Sequence, residues 1–190
     1  MKQTVILDNG HGRETQGKRS PVWSDGKQLF EWEFNRDVIR RIAAILETEE
    51  ITYKILVPEN SDVSLTERCR RANLIYSQYD KQAFLISVHA NAGGGTGWEC
   101  HIYTEKSKSK EYAAIVAEEA QKSFTPEWKI RNYPCWVSNF QILRDTNCPA
   151  VLTENFFMDT EKDCRYIMSE SGRQQIALMH AAAIKRIVEL

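Results

Sequence analysis

The chain has 190 residues, 42% of them apolar and 27% charged, and a formal net charge of −1 at neutral pH. That is the make-up of one globular domain able to bury a core. It offers no basic stripe for nucleic acid and no apolar run near the ~20 residues that cross a bilayer. The cysteines, Cys69, Cys100, Cys135, Cys148 and Cys164, are widely spaced without a CxxC, so they read as reduced thiols rather than a disulfide framework or thiolate metal site. The N-terminus enters a strand at once, so no export leader is expected.

Residues 3–8 read as a buried strand, broken by Asp8-Asn9-Gly10 with His11 held between two glycines. Residues 12–28 form a long loop, a length that in a compact domain usually signals function or mobility. A helix follows over about 30–49, with Val38, Ile42 and Ile45 at helical spacing. Stepping back from Val38 reaches Asn35 and Glu31, which puts Glu31 on the inward face at the helix start. Glu33 falls with Asp37, Arg40 and Arg41 on the solvated side. Ile51–Val57 is the second strand. Ser64 and Glu67 have capping-box spacing at the head of a helix that runs to about Tyr79.

Residues 83–88 are almost wholly apolar, as a central parallel strand should be, and end at His89-Ala90-Asn91 before a run of three glycines. Then come a strand over 98–104, a helix over 109–124, an irregular aromatic stretch over 126–137 and a short strand over 140–144. A strand over 150–153 ends at Glu154, followed by a short helix over 160–168 and a final amphipathic helix over 172–190. This alternation predicts a single α/β domain spanning 1–190: a central twisted, mostly parallel, mixed sheet of about six strands with helices on both faces.

His11, His89 and Glu154 each stand at the carboxyl end of an apolar strand, the edge where open α/β sheets bind ligands. The long loop lets Glu31 fold back to the same edge. Two imidazoles and one carboxylate are a standard ligand set for catalytic zinc, with the fourth position left for water. A further carboxylate nearby serves to take that water's proton. The expected ligands are therefore His11, Glu31 and His89, with Glu154 as the base. Taken singly, each has a duller account, such as a turn histidine or a helix-start charge that complements the dipole. His101 is expected to be a partly exposed strand residue and His180 a satisfied core histidine. Glu99 and Asp8 are expected to orient an imidazole, and Asn91 to shape the turn after His89.

Several segments, in order, are similar to one family. Ile6-Leu7-Asp8-Asn9-Gly10-His11-Gly12 is close to its LDPGHGG. Glu31 with Asn35, then Val63-Ser64-Leu65-Thr66-Glu67-Arg68 with Ala72-Asn73, match its helix-start glutamate and its SLxxR…AN segment. Ser87-Val88-His89-Ala90-Asn91-Ala92, Gly97-Trp98-Glu99 and Pro149–Phe157 match its later strands. The chain thus resembles the zinc-dependent N-acetylmuramoyl-L-alanine amidases of the Amidase_3 type. It departs from the pattern at Asn9, where proline is usual, at Arg13, where glycine is usual, and at Asn155-Phe156 after the glutamate.

The resemblance implies hydrolysis of the amide between the lactyl group of N-acetylmuramic acid and the L-alanine of the stem peptide in bacterial peptidoglycan. It implies one zinc ion on His11, Glu31 and His89, with Glu154 as the catalytic glutamate. Arg144, near the end of its own short strand, is a candidate partner for a substrate carboxylate, with a structural ion pair as the alternative. Peptidoglycan is the expected partner of a monomer that neither binds nucleic acid nor enters a membrane. A family that works outside the membrane and a chain expected to carry no leader are reconciled by a phage or prophage endolysin, made in the cytoplasm and released through a holin or another non-classical route; a cytoplasmic or sporulation role and a leader trimmed away stay open. Two other readings stay open: a zinc peptidase on a related α/β scaffold, and a non-catalytic wall-binding module.

Overall fold

A computed structural model describes residues 3–190. Six strands, β1 (Thr4–Asn9), β2 (Tyr53–Ile55), β3 (Ala83–Asn91), β4 (Trp98–Ile102), β5 (Trp136–Val137) and β6 (Ala150–Phe157), make one sheet in the order β2-β1-β3-β6-β4-β5. Every pairing is parallel except that of β4 with β6. The helices are α1 (Glu31–Thr48), α2 (Leu65–Gln78), α3 (Lys108–Phe124), α4 (Gln141–Arg144), α5 (Glu161–Met168) and α6 (Glu170–Val188). The expected α/β class, mixed sheet and helices on both faces are all present.

The central strands are apolar runs because both of their faces are covered. On one face Val5, Leu7, Phe84, Ile86 and Val151 pack in one cluster with Phe34, Val38 and Ile42 of α1 and with the apolar sides of α3 and α6. On the other, Ile6, Leu85 and Leu152 meet Cys69 and Ala72 of α2 and Ile142 and Leu143 of α4. This second layer is thin, one helix of 14 residues and one turn of 4. Side chains alternate along a strand, so Asp8, His89 and Glu154 lie on the same face as Ile6, Leu85 and Leu152. They emerge where that thin layer runs out.

Helix starts follow local chemistry. Ser64 Oγ accepts the Glu67 amide at 3.3 Å, and Ser107 and Ser169 cap α3 and α6 in the same way. The start of α1 is different: Phe30 provides no side-chain cap, and the Glu31 amide donates instead to the Lys18 carbonyl at 3.0 Å. The long loop therefore caps the helix that carries Glu31. Glu33 is exposed, as expected.

Three segments depart from expectation. Residues 140–144 are not a strand: Phe140 accepts hydrogen bonds from the Leu143 and Arg144 amides, which makes one helical turn. Two adjacent apolar residues in a short run suit a strand or a turn equally, and here Ile142 and Leu143 pack down on the sheet. The fifth strand is instead Trp136–Val137, inside the stretch expected to be irregular. β3 and β6 run beyond their expected ends to Asn91 and Phe157, because His89 pairs with Glu154 and Asn91 with Phe157, with a register shift between. All five cysteines are free thiols, and among the described residues no helix is long and apolar enough to cross a membrane.

His180 is buried on α6, where Nδ1 donates to the Ile176 carbonyl at 2.8 Å and Nε2 accepts from Thr153 Oγ1 at 2.9 Å. Burial pushes this imidazole down from 6.5 to about 4. It stays neutral in the fold while the unfolded chain takes up a proton, so stability is lost as pH falls from 6.5 towards 4. The full shift corresponds to about 3 kcal/mol. Urea unfolding of His180→Gln across that range should show a flatter acid-side loss than the parent; an identical slope in both proteins would remove His180 as the cause.

Candidate active site

The turn after β1 is built by what crowds it. A Cβ on Gly10 would lie 2.0 Å from His89 Cε1, and one on Gly12 would lie 2.2 Å from the Asp62 backbone. Both neighbours of His11 must therefore be glycine. His11 itself has φ 62°, the left-handed region that ordinary side chains avoid. Such a residue costs about 1–3 kcal/mol and persists only where its surroundings hold it.

Those surroundings are side chains from two helices. Asn35 Nδ2 donates to the Gly10 carbonyl at 3.0 Å. Arg36 Nη1 and Arg68 Nη2 both donate to the His11 carbonyl at 2.9 Å. Arg68 Nη1 also reaches the Asn9 carbonyl at 2.9 Å and Asp8 Oδ1 at 2.6 Å, and Asp8 Oδ2 accepts from Ser87 Oγ at 2.5 Å. Asp8 thus anchors Arg68 and Ser87 and makes no bond to an imidazole, contrary to expectation. Asn9, at the usual proline position, uses Nδ2 to bind the Val57 carbonyl at 3.0 Å, and Arg13 is exposed with its guanidinium 5.3 Å from the Trp32 ring centroid.

His11, Glu31 and His89 are brought together as the sequence predicts, each offering one donor atom within 4.8 Å of the others. Glu31 Oε1 lies 3.3 Å from His11 Nε2 and 3.1 Å from His89 Nδ1, and it accepts the Ala90 amide at 3.2 Å. Its other oxygen, Oε2, is buried without a partner. The edge of a tetrahedron with zinc–ligand bonds of 2.0–2.1 Å is about 3.3 Å. The two Oε1–imidazole spacings match that edge, and the orphaned Oε2 leaves the carboxylate an unused electron pair, so the set fits a small divalent cation.

Electrostatics sets the groups apart. Burial opposes charge on Glu31, yet the hydrogen bonds and charges of His11 and His89 outweigh it and hold the carboxyl well below its ordinary range. Burial lowers His11. At His89 burial pulls the same way but is overcome by Glu31 and then Glu154, and the imidazole ends above its ordinary value. Glu154 lies beside His89 across the β3–β6 ladder. Burial pushes its carboxyl up to about 7, and its Oε2 has no hydrogen-bond partner. Two clefts of about 270 Å³ each share His11 and His89 as walls; Glu154 and Lys18 line one, Asp8 and Arg68 the other.

The remaining candidates are scattered differently. Glu99 faces Glu154 across the β4–β6 ladder. It accepts from Asn91 Nδ2 at 3.1 Å, pairs with Arg131 Nε at 2.6 Å and lies 3.3 Å from His101 Nε2, so the imidazole beside it is His101 and not His11 or His89. Asn91 Oδ1 accepts the Ala92 amide at 2.8 Å, the local turn bond expected of it. His101 is buried, against expectation, with Nδ1 2.8 Å from Ser138 Oγ and its ring 5.1 Å from that of Phe140. Arg144 ends the α4 turn, where it pairs with Asp145 at 2.8 Å and donates to Asn139.

Sequence reasoning missed Arg36, Arg68 and Asn155. Arg68 sits four residues before Ala72 on the buried side of α2, and a charge in such a stripe is the signal that could have found it. Asn155 points to the opposite face from Glu154, with Nδ2 on the His89 carbonyl at 2.9 Å and Oδ1 accepting from Trp98 Nε1 at 2.9 Å.

Comparison with known proteins gives one family. Residues 5–186 match the Amidase_3 model, described as N-acetylmuramoyl-L-alanine amidase. The chain is 32% identical over 189 residues to the N-acetylmuramoyl-L-alanine amidase CwlM of Bacillus licheniformis, covering 98% of this chain and 69% of that protein. It is 30% identical over 195 residues to the endolysin of Bacillus phage SPP1, covering 100% of this chain and 68% of that protein. The crystal structure of N-acetylmuramoyl-L-alanine amidase from Clostridium difficile 630 superposes with a TM-score of 0.84 at 24% identity, covering 99% of this chain and 97% of that one, a likeness of fold.

The contact between Gly10 and His89 yields a test. Gly10→Ala should push the His89 ring away from Glu31 and weaken divalent-metal affinity about 10–100-fold, the usual range for losing an orienting neighbour. Competition against a chromogenic chelator reads this, with far-UV circular dichroism to check that the fold remains; parental affinity in a folded variant would contradict the account.

Proposed function

Since this chain belongs to the Amidase_3 family of N-acetylmuramoyl-L-alanine amidases, we propose that it cuts the bond between the lactyl group of N-acetylmuramic acid and L-alanine in peptidoglycan with the help of one zinc ion on His11, Glu31 and His89, and with Glu154 as general base. The observation that supports this most is the meeting of the three donors within 4.8 Å of one another, with both imidazole nitrogens 3.1–3.3 Å from Glu31 Oε1 and Glu31 Oε2 buried without a partner. In this reading residues 1–190 act as one catalytic unit, and the similarity to a phage endolysin supports the cell wall as its place of action.

A zinc ion held by His11, Glu31 and His89 would supply Lewis acidity to a water and to the scissile carbonyl. The protein's own groups do the rest. Glu31, kept anionic by its two imidazole partners, contributes the one negative donor. Glu154 takes the proton of the attacking water on its free oxygen and passes it to the leaving amine. A carboxyl held up at about 7 suits both steps near neutral pH. Asn155 holds the His89 carbonyl from behind the sheet, and Arg36 and Arg68 hold that of His11, so neither imidazole is free to drift. Arg144, on the α4 turn beside Asp145, is the candidate partner of a substrate carboxylate.

Two variants separate the roles. Glu154→Gln should retain equimolar zinc and lose about 10²–10⁴-fold in turnover, read as new N-terminal alanine released from purified walls with the glycan uncut. Near-parental turnover would show that another group is the base. His89→Ala should purify without zinc under conditions that load the parent; full occupancy by elemental analysis would end its claim as a ligand. Product analysis also separates the amidase from a peptidase, which would cut within the stem peptide and leave the lactyl–alanine bond intact.

A further inference from the structure

The sheet edge that carries His89 and Glu154 holds a further cavity that the reaction does not use. It measures about 540 Å³ and is lined by Gly94 and Gly95 after β3, Thr160 after β6, and Lys129, Arg131 and Trp136 from the aromatic stretch. Residues 129–131 are fixed there by the backbone. The Trp98 amide donates to the Lys129 carbonyl and the Arg131 amide to the Trp98 carbonyl, both at 2.9 Å. Alternation then sends the Lys129 and Arg131 side chains to one side of the segment.

The guanidinium of Arg131 is preorganised. Its Nε lies 2.6 Å from Glu99 Oε1, and its Cζ lies 5.0 Å from the Phe157 ring centroid. A Cβ on Gly95 would come within 2.4 Å of Arg131 Nη1 and 2.5 Å of Phe157 Cζ, so only glycine leaves the arginine its place. Neither Nη atom makes a hydrogen bond to the protein, and the Lys129 ammonium joins no ion pair, among the described residues. Two cations, one of them a held fork with free donors, thus face a cavity floored by glycine backbone and walled by a partly exposed Trp136. Such a fork matches a carboxylate.

We propose that this cavity is a subsite for a free carboxylate of the stem peptide. The proposal rests on the amidase reading for its choice of ligand. The carboxyl of N-acetylmuramic acid is consumed in the scissile amide, so the glycan around that bond is uncharged. The stem peptide is the anionic part of the substrate, and it ends in a carboxylate. Lys129 and Arg131 bind that group, the glycine floor lets the peptide backbone lie close, and Trp136 covers one side.

The test compares an N-acetylmuramoyl stem peptide whose carboxylates are free with the same molecule fully amidated. For the parent, amidation should raise KM about tenfold or more, the worth of one charge-assisted hydrogen bond, with kcat little changed. Lys129→Gln and Arg131→Gln should each lose most of this discrimination. Equal KM for acid and amide in the parent, or discrimination that survives in both variants, would overturn the subsite. Calorimetry with the released peptide, acid against amide, makes the result independent of turnover. Tighter binding of the acid, lost in Lys129→Gln, supports the subsite even if no wall is cleaved, an outcome that would count against the amidase reading alone; equal binding of acid and amide overturns the subsite even if hydrolysis is rapid.

Discussion

The grip of Arg36 and Arg68 on the His11 carbonyl is the contact on which the catalytic edge depends. A turn this tight cannot satisfy its own carbonyls, and a histidine at positive φ would relax if it were free to do so. The helices supply what the turn lacks: Asn35 and Arg36 from α1, Arg68 from α2. Arg68 is buried only because Asp8 balances its charge, and Asp8 is tied in turn to Ser87 on β3. Removing one partner of such a buried pair leaves an uncompensated charge, a loss of about 3–5 kcal/mol. One network therefore joins the ends of β1 and β3 to the starts of two helices, and His11 stands at its centre.

The same network explains why the site is open. The face of the sheet behind α1, α3 and α6 is thickly covered, whereas the face bearing Asp8, His89 and Glu154 has only α2 and the α4 turn. Polar side chains at the end of that thin layer meet solvent through clefts but remain buried enough for desolvation to matter. Glu154 illustrates the balance: its carboxyl is raised by burial, while Glu31, a few side chains away, is held low by two imidazoles. Two carboxylates in one site thus have their proton affinities pushed in opposite directions, the pattern expected where one is to bind a cation and the other to carry a proton.

Most of the architecture was legible in the chain. Strands with both faces buried announce themselves as apolar runs, and the α1 stripe placed Glu31 inward without any knowledge of the loop. His89 and Glu154 were legible because each interrupts such a run with a polar group, and His11 because it stands between two glycines just beyond one. The misreadings share a cause. His101 was judged by its own strand, yet Phe140 and Ser138 cover it from a distant segment. Residues 140–144 have too short a pattern to distinguish a strand from a turn. The polar ends of β3 and β6 resemble loops until they are seen to pair with each other.

The sequence by itself determined the order of strands and helices outside residues 126–144, the inward face of α1, and the polar groups at the strand ends, because those follow from periodicity within a few residues. Only the tertiary structure decided the strand order, the use of Asp8 to anchor Arg68 rather than an imidazole, the burial of His101 and the turn at Arg144. Each of these rests on contacts between residues far apart in the chain, such as the pair 60 positions apart formed by Asp8 and Arg68, and no local pattern encodes a partner at that distance.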